Sequence, residues 1–217
     1  MDPNVSFGSA IRKEDDGTRV YRFSLQNLHI TNSSQDVFAN VIGVNLCACE
    51  RGDHKNLIIT NFGQAALVLS RAEAGAEGLG FLNTTQDGNY HNFTTLQVSG
   101  GIKNELSGSI WLKYKANSNT FTHCMSKGGN SGYMFRIQHG NDNVITGGSA
   151  ESVSGAFRLG DNARGNIISG IRSENGLLPA FYVENGATTN FINCPWITSG
   201  ETPIVEDIAV NENVIMS

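Results

Sequence analysis

Residues 143–192 read NVITGGSAESVSGAFRLGDNARGNIISGIRSENGLLPAFYVENGATTNFI. Asn143 opens Asn-Val-Ile-Thr-Gly, Asn166 opens Asn-Ile-Ile-Ser-Gly, and Asn190 opens Asn-Phe-Ile-Asn-Cys. With Asn119 and Asn213 added, these asparagines are separated by 24, 23, 24 and 23 residues. Asn56 and Asn92 fit the same phrase with insertions between them, and the stretches from Asn27 and Asn40 are looser versions. A fixed period in this range marks a solenoid, in which each repeat touches only its neighbours. The apolar runs are three to five residues long, rich in Val, Ile and Phe, and bounded by Gly, Asn or Asp. Such runs are short strands bent around corners, since a helical repeat needs ten or more residues of 3.6 periodicity. We therefore expect an all-β chain: a single-stranded parallel β-helix of about eight coils, stacked about 4.8 Å apart. It would fill residues 20–217, after a lead-in over residues 1–19.

Aligned on the asparagine, the coils predict their own interior. Two residues on come Phe121, Ile145, Ile168, Ile192 and Ile215, an apolar column suited to the core. A second strand later in each coil brings Phe135, Phe157 and Phe181 into another interior stack, which Ile204 extends. The asparagines belong at a corner, with side-chain amides bonded from coil to coil. Thr120, Val144, Ile167, Phe191 and Val214 follow the asparagines directly, so alternation turns them outward. An exposed apolar stripe along a solenoid predicts contact with copies of the same chain, a trimer or another homo-oligomer. The other possibility is a wide corner with both columns inward. NENVIMS stops just after a coil begins, and the opening residues start with little introduction, so both ends suggest a piece of something longer.

Composition narrows the function. The 217 residues carry 39% hydrophobic and 16% charged side chains, and Gly occurs 25 times, a balance that favours strands and turns. The net charge of -5 and the lack of a basic block argue against nucleic acid as partner. No apolar run suits a signal peptide or a membrane helix. Cysteines 47, 49, 124 and 194 match no zinc spacing and are expected as buried, reduced thiols. No cofactor motif, P-loop or nucleophile elbow is present, and neither a cofactor nor a metal is expected.

FSLQNLHITNSS, NLIITNFGQAALVLS, NVITGGSAES and NIISGIRSENG resemble the right-handed β-helix of the pectate-lyase-like superfold. They are most similar to its versions in bacteriophage tailspikes and tail-fibre receptor-binding proteins. The resemblance covers residues 20–217 and is one of repeat style, without a catalytic signature. It implies a homotrimeric virion tail component, folded in a host cytoplasm, that contacts other tail proteins. It also implies binding of host cell-surface polysaccharide, with cleavage in some members. The alternatives are an active depolymerase, hydrolase or lyase, and a fibre-shaft segment with no ligand.

Two groups of residues could carry this. Lys127, Glu151, Glu174 and Thr198 lie eight residues after their asparagines. Glu151 and Glu174 would thus stand on adjacent coils, and carboxylates about 5 Å apart suit a glycosidase acid–base pair with one raised pKa. Lys127 would offset their charge. The bland alternative is a solvated corner where the glutamates pair with Lys and Arg. Arg136, Arg158 and Tyr182 follow the stacked phenylalanines and should face outward as a sugar platform. Stacked arginines favour an acidic glycan, unless Asp161, Glu184 or Glu206 pairs with them. In the insertions, Asp87, Tyr90 and His91 could contact sugar. Trp111, Tyr114 and Trp196 read as core or oligomer contact.

Overall fold

The computed structural model describes residues 8–12, 20–32, 41–47, 49–70, 89–100, 108–113, 115–127, 132–153, 155–160, 162–176, 179–194, 196–197, 204–206 and 213–216. Every regular element in them is a β-strand. The first sheet stacks β1 (Gly8–Arg12), β4 (Val41–Cys47), β7 (Ala65–Ser70), β9 (Gly108–Leu112), β11 (Tyr133–Ile137), β13 (Gly155–Leu159), β15 (Phe181–Val183) and β18 (Ile204–Glu206). The second stacks β3 (Gln26–Thr31), β6 (Asp53–Phe62), β8 (Asn92–Gly100), β10 (Thr120–Lys127), β12 (Val144–Glu151), β14 (Ile167–Glu174), β16 (Phe191–Asn193) and β19 (Val214–Met216). β17 (Trp196–Ile197) pairs with β14, and β2 (Val20–Tyr21) pairs with β5 (Cys49–Glu50). All pairs between these strands are parallel. The chain passes from one sheet to the other and returns one strand further along, so the molecule is a parallel β-solenoid. β1 falls inside the stretch expected as lead-in and pairs with β4 in the first sheet.

The long strands of the second sheet are bent. Asn27, Asn56, His123 and Gly147 stand in one register column with φ of 54°, 52°, 54° and 64°. Thr95 and Gly170 join it at 58° and 67°. A left-handed residue in mid-strand turns the chain, so each of these strands supplies two faces of the coil. Asn and Gly tolerate this conformation best, and it costs other residues roughly 1–2 kcal/mol. A second left-handed column, Tyr90, Ser118, Asp142, Gly165 and Thr189, makes the corner before each coil re-enters the second sheet.

The interior follows the expected columns. Phe93, Phe121, Ile145, Ile168 and Ile192 are in register and buried, with Phe93 and Phe121 stacked at 4.8 Å. Phe135, Phe157 and Phe181 stack at 5.1 and 5.4 Å, with ring planes 2° and 3° apart. Parallel strands in register place like side chains about 4.8 Å apart, so flat rings meet face to face. Ile204 holds the next register position. Cys124 and Cys194 are buried free thiols, and Cys49 is buried as well. Burial pushes the Cys124 thiol up to about 12 and that of Cys194 up to about 11.

The register asparagines form a buried ladder. The Asn143 side chain and backbone N–H both donate to Asn166 Oδ1, at 2.9 and 3.1 Å. Asn166 donates likewise to Asn190, and Asn190 to Asn213. Each amide also donates to a carbonyl three residues before the ladder asparagine of the preceding coil: Ala116, Gly140, Ala163 and Ala187 for Asn143, Asn166, Asn190 and Asn213. Two members expected from the phrase lie elsewhere. Asn92 aligns with Thr120 and faces outward, and Asn56 sits at the mid-strand bend, bonded to Asn27 on the surface. Insertions moved the matching phrase out of register there.

Candidate functional site

Along the bend in β12 and β14, the second sheet carries a groove of about 430 Å³, lined by Met125, Gly148, Ser149, Glu151, Gly170, Ile171 and Arg172. Gly148 has φ +124°, and a Cβ there would meet the Cys124 carbonyl oxygen at 1.9 Å. Only glycine fits against the Cys124 backbone. Gly170, on the next coil, has φ +67°, but a Cβ there would meet no atom closer than 3.7 Å. Met125, Ser149 and Arg172 stand in register on consecutive coils, and the backbone of Trp196 follows them.

Glu151 and Glu174 are register partners on adjacent coils, with Lys127 in register on the coil before. The structure adds a group that the alignment did not single out. Arg172 lies between the carboxylates, with Nη2 2.9 Å from Glu151 Oε1 and Nε 3.4 Å from Glu174 Oε1. Glu151 also accepts a hydrogen bond from Ser149 Oγ at 3.1 Å and faces Lys127 Nζ at 3.8 Å. The Ser149 hydroxyl and the Arg172 guanidinium hold the Glu151 carboxyl below the ordinary carboxylate value. A general acid needs the opposite shift. The arrangement matches the salt-bridged corner more closely than an acid–base pair. Thr198, the next position of the series, lies outside the described residues.

On the first sheet, Trp111, Arg136, Arg158 and Tyr182 form one outward register column. The Arg136 guanidinium lies 4.5 Å over the Trp111 ring, and that of Arg158 lies 5.0 Å over Tyr182. Arg158 also pairs with Glu184, and its side chain is 16% exposed. Lys113, itself buried, covers Trp111 at 4.2 Å, and Trp111 packs on the buried Ile42, Ala65 and Val68. The column expected from Arg136, Arg158 and Tyr182 thus exists and gains Trp111, but its rings and charges already serve one another. Asp161, Asp87 and Tyr114 lie outside the described residues, as does the side chain of Trp196.

One expected surface contact is overturned. His91 is fully buried, with Nε2 2.8 Å from the Cys49 carbonyl, because it occupies the inward corner position of its coil. Tyr90 beside it is 54% exposed. The stripe after the asparagines does face outward: Ile167 is 44% and Val214 51% exposed, while Thr120, Val144 and Phe191 are half-buried.

The fold and groove define an all-β parallel solenoid with a cleft lined in part by glycine. No protein-family model matches the chain, and no curated protein matches it. Among solved structures it is similar to a chain described as "Geobacillus virus E2 - ORF18", with a TM-score of 0.49 and 12% identity. The match covers 86% of this chain and 41% of the other, so this chain spans less than half the length of that one.

Proposed function

We propose that this solenoid is a receptor-binding domain of the phage tailspike or tail-fibre type, and that it holds host cell-surface polysaccharide in the groove at the β12–β14 bend. One observation carries the reading. A cleft with an apolar lining from Met125 and Ile171 presents an arginine fixed between two carboxylates. Sugars offer an apolar ring face and a rim of paired hydroxyls. Apolar floors with a few placed polar groups suit them, and pre-fixed carboxylates and guanidinium lose little freedom on binding. Binding without cleavage is the favoured form, since Arg172 engages both carboxylates. The outward stripe of Val144, Ile167, Phe191 and Val214 would be covered by neighbouring copies in a homotrimer, as part of a virion tail.

The test uses a panel of purified capsules, lipopolysaccharides and teichoic acids, with binding and reducing-end release measured side by side. Wild type should bind at least one glycan, and Arg172→Ala should weaken that binding at least tenfold. Release of reducing ends that Glu151→Gln abolishes would replace the binding domain with a depolymerase. No binding to any of the panel would leave a shaft segment.

A further inference from the structure

The asparagine ladder ends at a pair of histidines. His91 holds the ladder position in its coil: Thr120 N–H bonds the His91 carbonyl, as Val144 N–H bonds that of Asn119. His91 N–H in turn donates to Asn119 Oδ1 at 2.9 Å. One coil earlier the position is Gly52, whose carbonyl bonds Asn92 N–H. His54, two residues on, points inward in register with Phe93, and the rings stack at 4.5 Å. The two imidazoles fill the space that Gly52 leaves. A Cβ on Gly52 would lie 2.4 Å from His54 Nε2 and 2.7 Å from His91 Nδ1.

The hydrogen bonds fix every proton. Leu25 N–H can only donate, so His54 Nδ1, 3.2 Å away, is the acceptor. The Cys49 carbonyl can only accept, so His91 Nε2 carries its proton. In the remaining contact, 3.1 Å long, His54 Nε2–H donates to His91 Nδ1. Both rings are therefore neutral Nε2–H tautomers with all four nitrogens used. A further proton on His54 Nδ1 would face Leu25 N–H, and one on His91 Nδ1 would face His54 Nε2–H. Either replaces a hydrogen bond by two opposed donors inside the core.

We propose that the His54–His91 pair is an acid-released joint, which ties the coils of Leu25, Cys49 and His54 to the asparagine-laddered coils and lets them part on taking up protons. The titratable groups on the segments that meet the pair include Asp53 and Lys55 on β6, Cys49 and Glu50 on β5, and Arg22, Arg51 and Tyr90 in the adjoining turns. Asp53 favours a proton on His54. Burial and then His91 oppose it, and together they pull His54 down from 6.5 to about 3. Burial also lowers His91, partly offset by the Cys49 carbonyl. A histidine depressed in the folded state contributes in full above its unfolded value. That contribution is lost as pH falls from 6.5 towards about 3. The ladder beyond, built of asparagines, has no proton to gain.

The experiment is native-state hydrogen exchange on the full chain from pH 7 to pH 4.5, corrected for intrinsic rates. Amides of Leu25, Lys55 and Asn92 report the joint, and those of Val144, Ile167 and Phe191 report the ladder. The joint's opening constant should rise about tenfold per pH unit below pH 6 through His54 and more steeply where His91 adds to it, while the ladder's stays level. His91→Asn, which installs the ladder residue, should reduce the rise to about tenfold or less. Histidine nitrogen chemical shifts of the wild type at pH 7 should report two Nε2–H rings, a result that needs no variant to fold. An equal acid response in both groups of amides, a level response at the joint, or an Nδ1–H or charged ring at pH 7 would overturn the proposal.

Discussion

Replacing Asn166 by Ala removes the middle link of the ladder. Asn166 Oδ1 accepts two hydrogen bonds from Asn143, and its amide donates at 3.0 Å to the Gly140 carbonyl and at 2.8 Å to Asn190 Oδ1. Some partners survive the change: Asn143 Nδ2 keeps Ala116, and Asn190 Oδ1 keeps the residue-166 N–H. The Asn143 N–H and the Gly140 carbonyl lose these side-chain partners inside the protein, at roughly 1–3 kcal/mol each. A small cavity adds to that, so we expect a loss of about 3–6 kcal/mol, a large share of the 5–15 kcal/mol typical of a whole domain. Urea titration by circular dichroism should show a lower midpoint at unchanged slope. Asn166→Asp keeps the volume but puts an acceptor against two acceptors, so it should cost at least as much at neutral pH. The control is Asn92→Ala, which loses only a surface bond to Asp53 and should change stability by about 0.5 kcal/mol or less. A loss below about 1 kcal/mol for Asn166→Ala would refute the ladder as an element of stability.

Three further outcomes are expected. Phe157→Ala, which opens the ring stack between Phe135 and Phe181, should cost about 3–5 kcal/mol in the same titration, and Phe157→Leu clearly less. Gly148→Ala should prevent stable folding, whereas Gly170→Ala meets no atom closer than 3.7 Å and should cost only about 1–2 kcal/mol; thermal melts of the two compare them directly. Cys124 and Cys194, whose thiols stay protonated at pH 8 because burial raises them to about 12 and about 11, should react with a thiol reagent only after denaturant is added.

The solenoid was legible because its period is written in side chains that one-dimensional spacing can reveal. Asparagines and large apolar residues recur at 23 and 24 residues, and stacking turns that interval into columns. The same arithmetic brought Glu151 to Glu174 and Arg136 to Arg158. It could not find Arg172 between the glutamates. The aligned residues of neighbouring coils are Met125 and Ser149, so no column of like charge marks the site. Nor could it find the mid-strand bend, whose left-handed residues are as unlike as Thr95, His123 and Gly170. His54 and His91 are separated by an insertion that hides their common corner. Asn56 and Asn92 misled for the same reason, since a matching phrase fixes register only where the period is unbroken.

The most direct test of the binding account is hydroxyl-radical footprinting of the protein with a polysaccharide that it binds. The groove account predicts protection of Met125, 39% exposed in the free protein, with Arg172 and Ile171 beside it. Arg172→Ala, which removes the groove's guanidinium, should weaken that protection while the fold persists. Protection confined to Trp111 and Tyr182 on the first sheet, with Met125 unchanged, would contradict it.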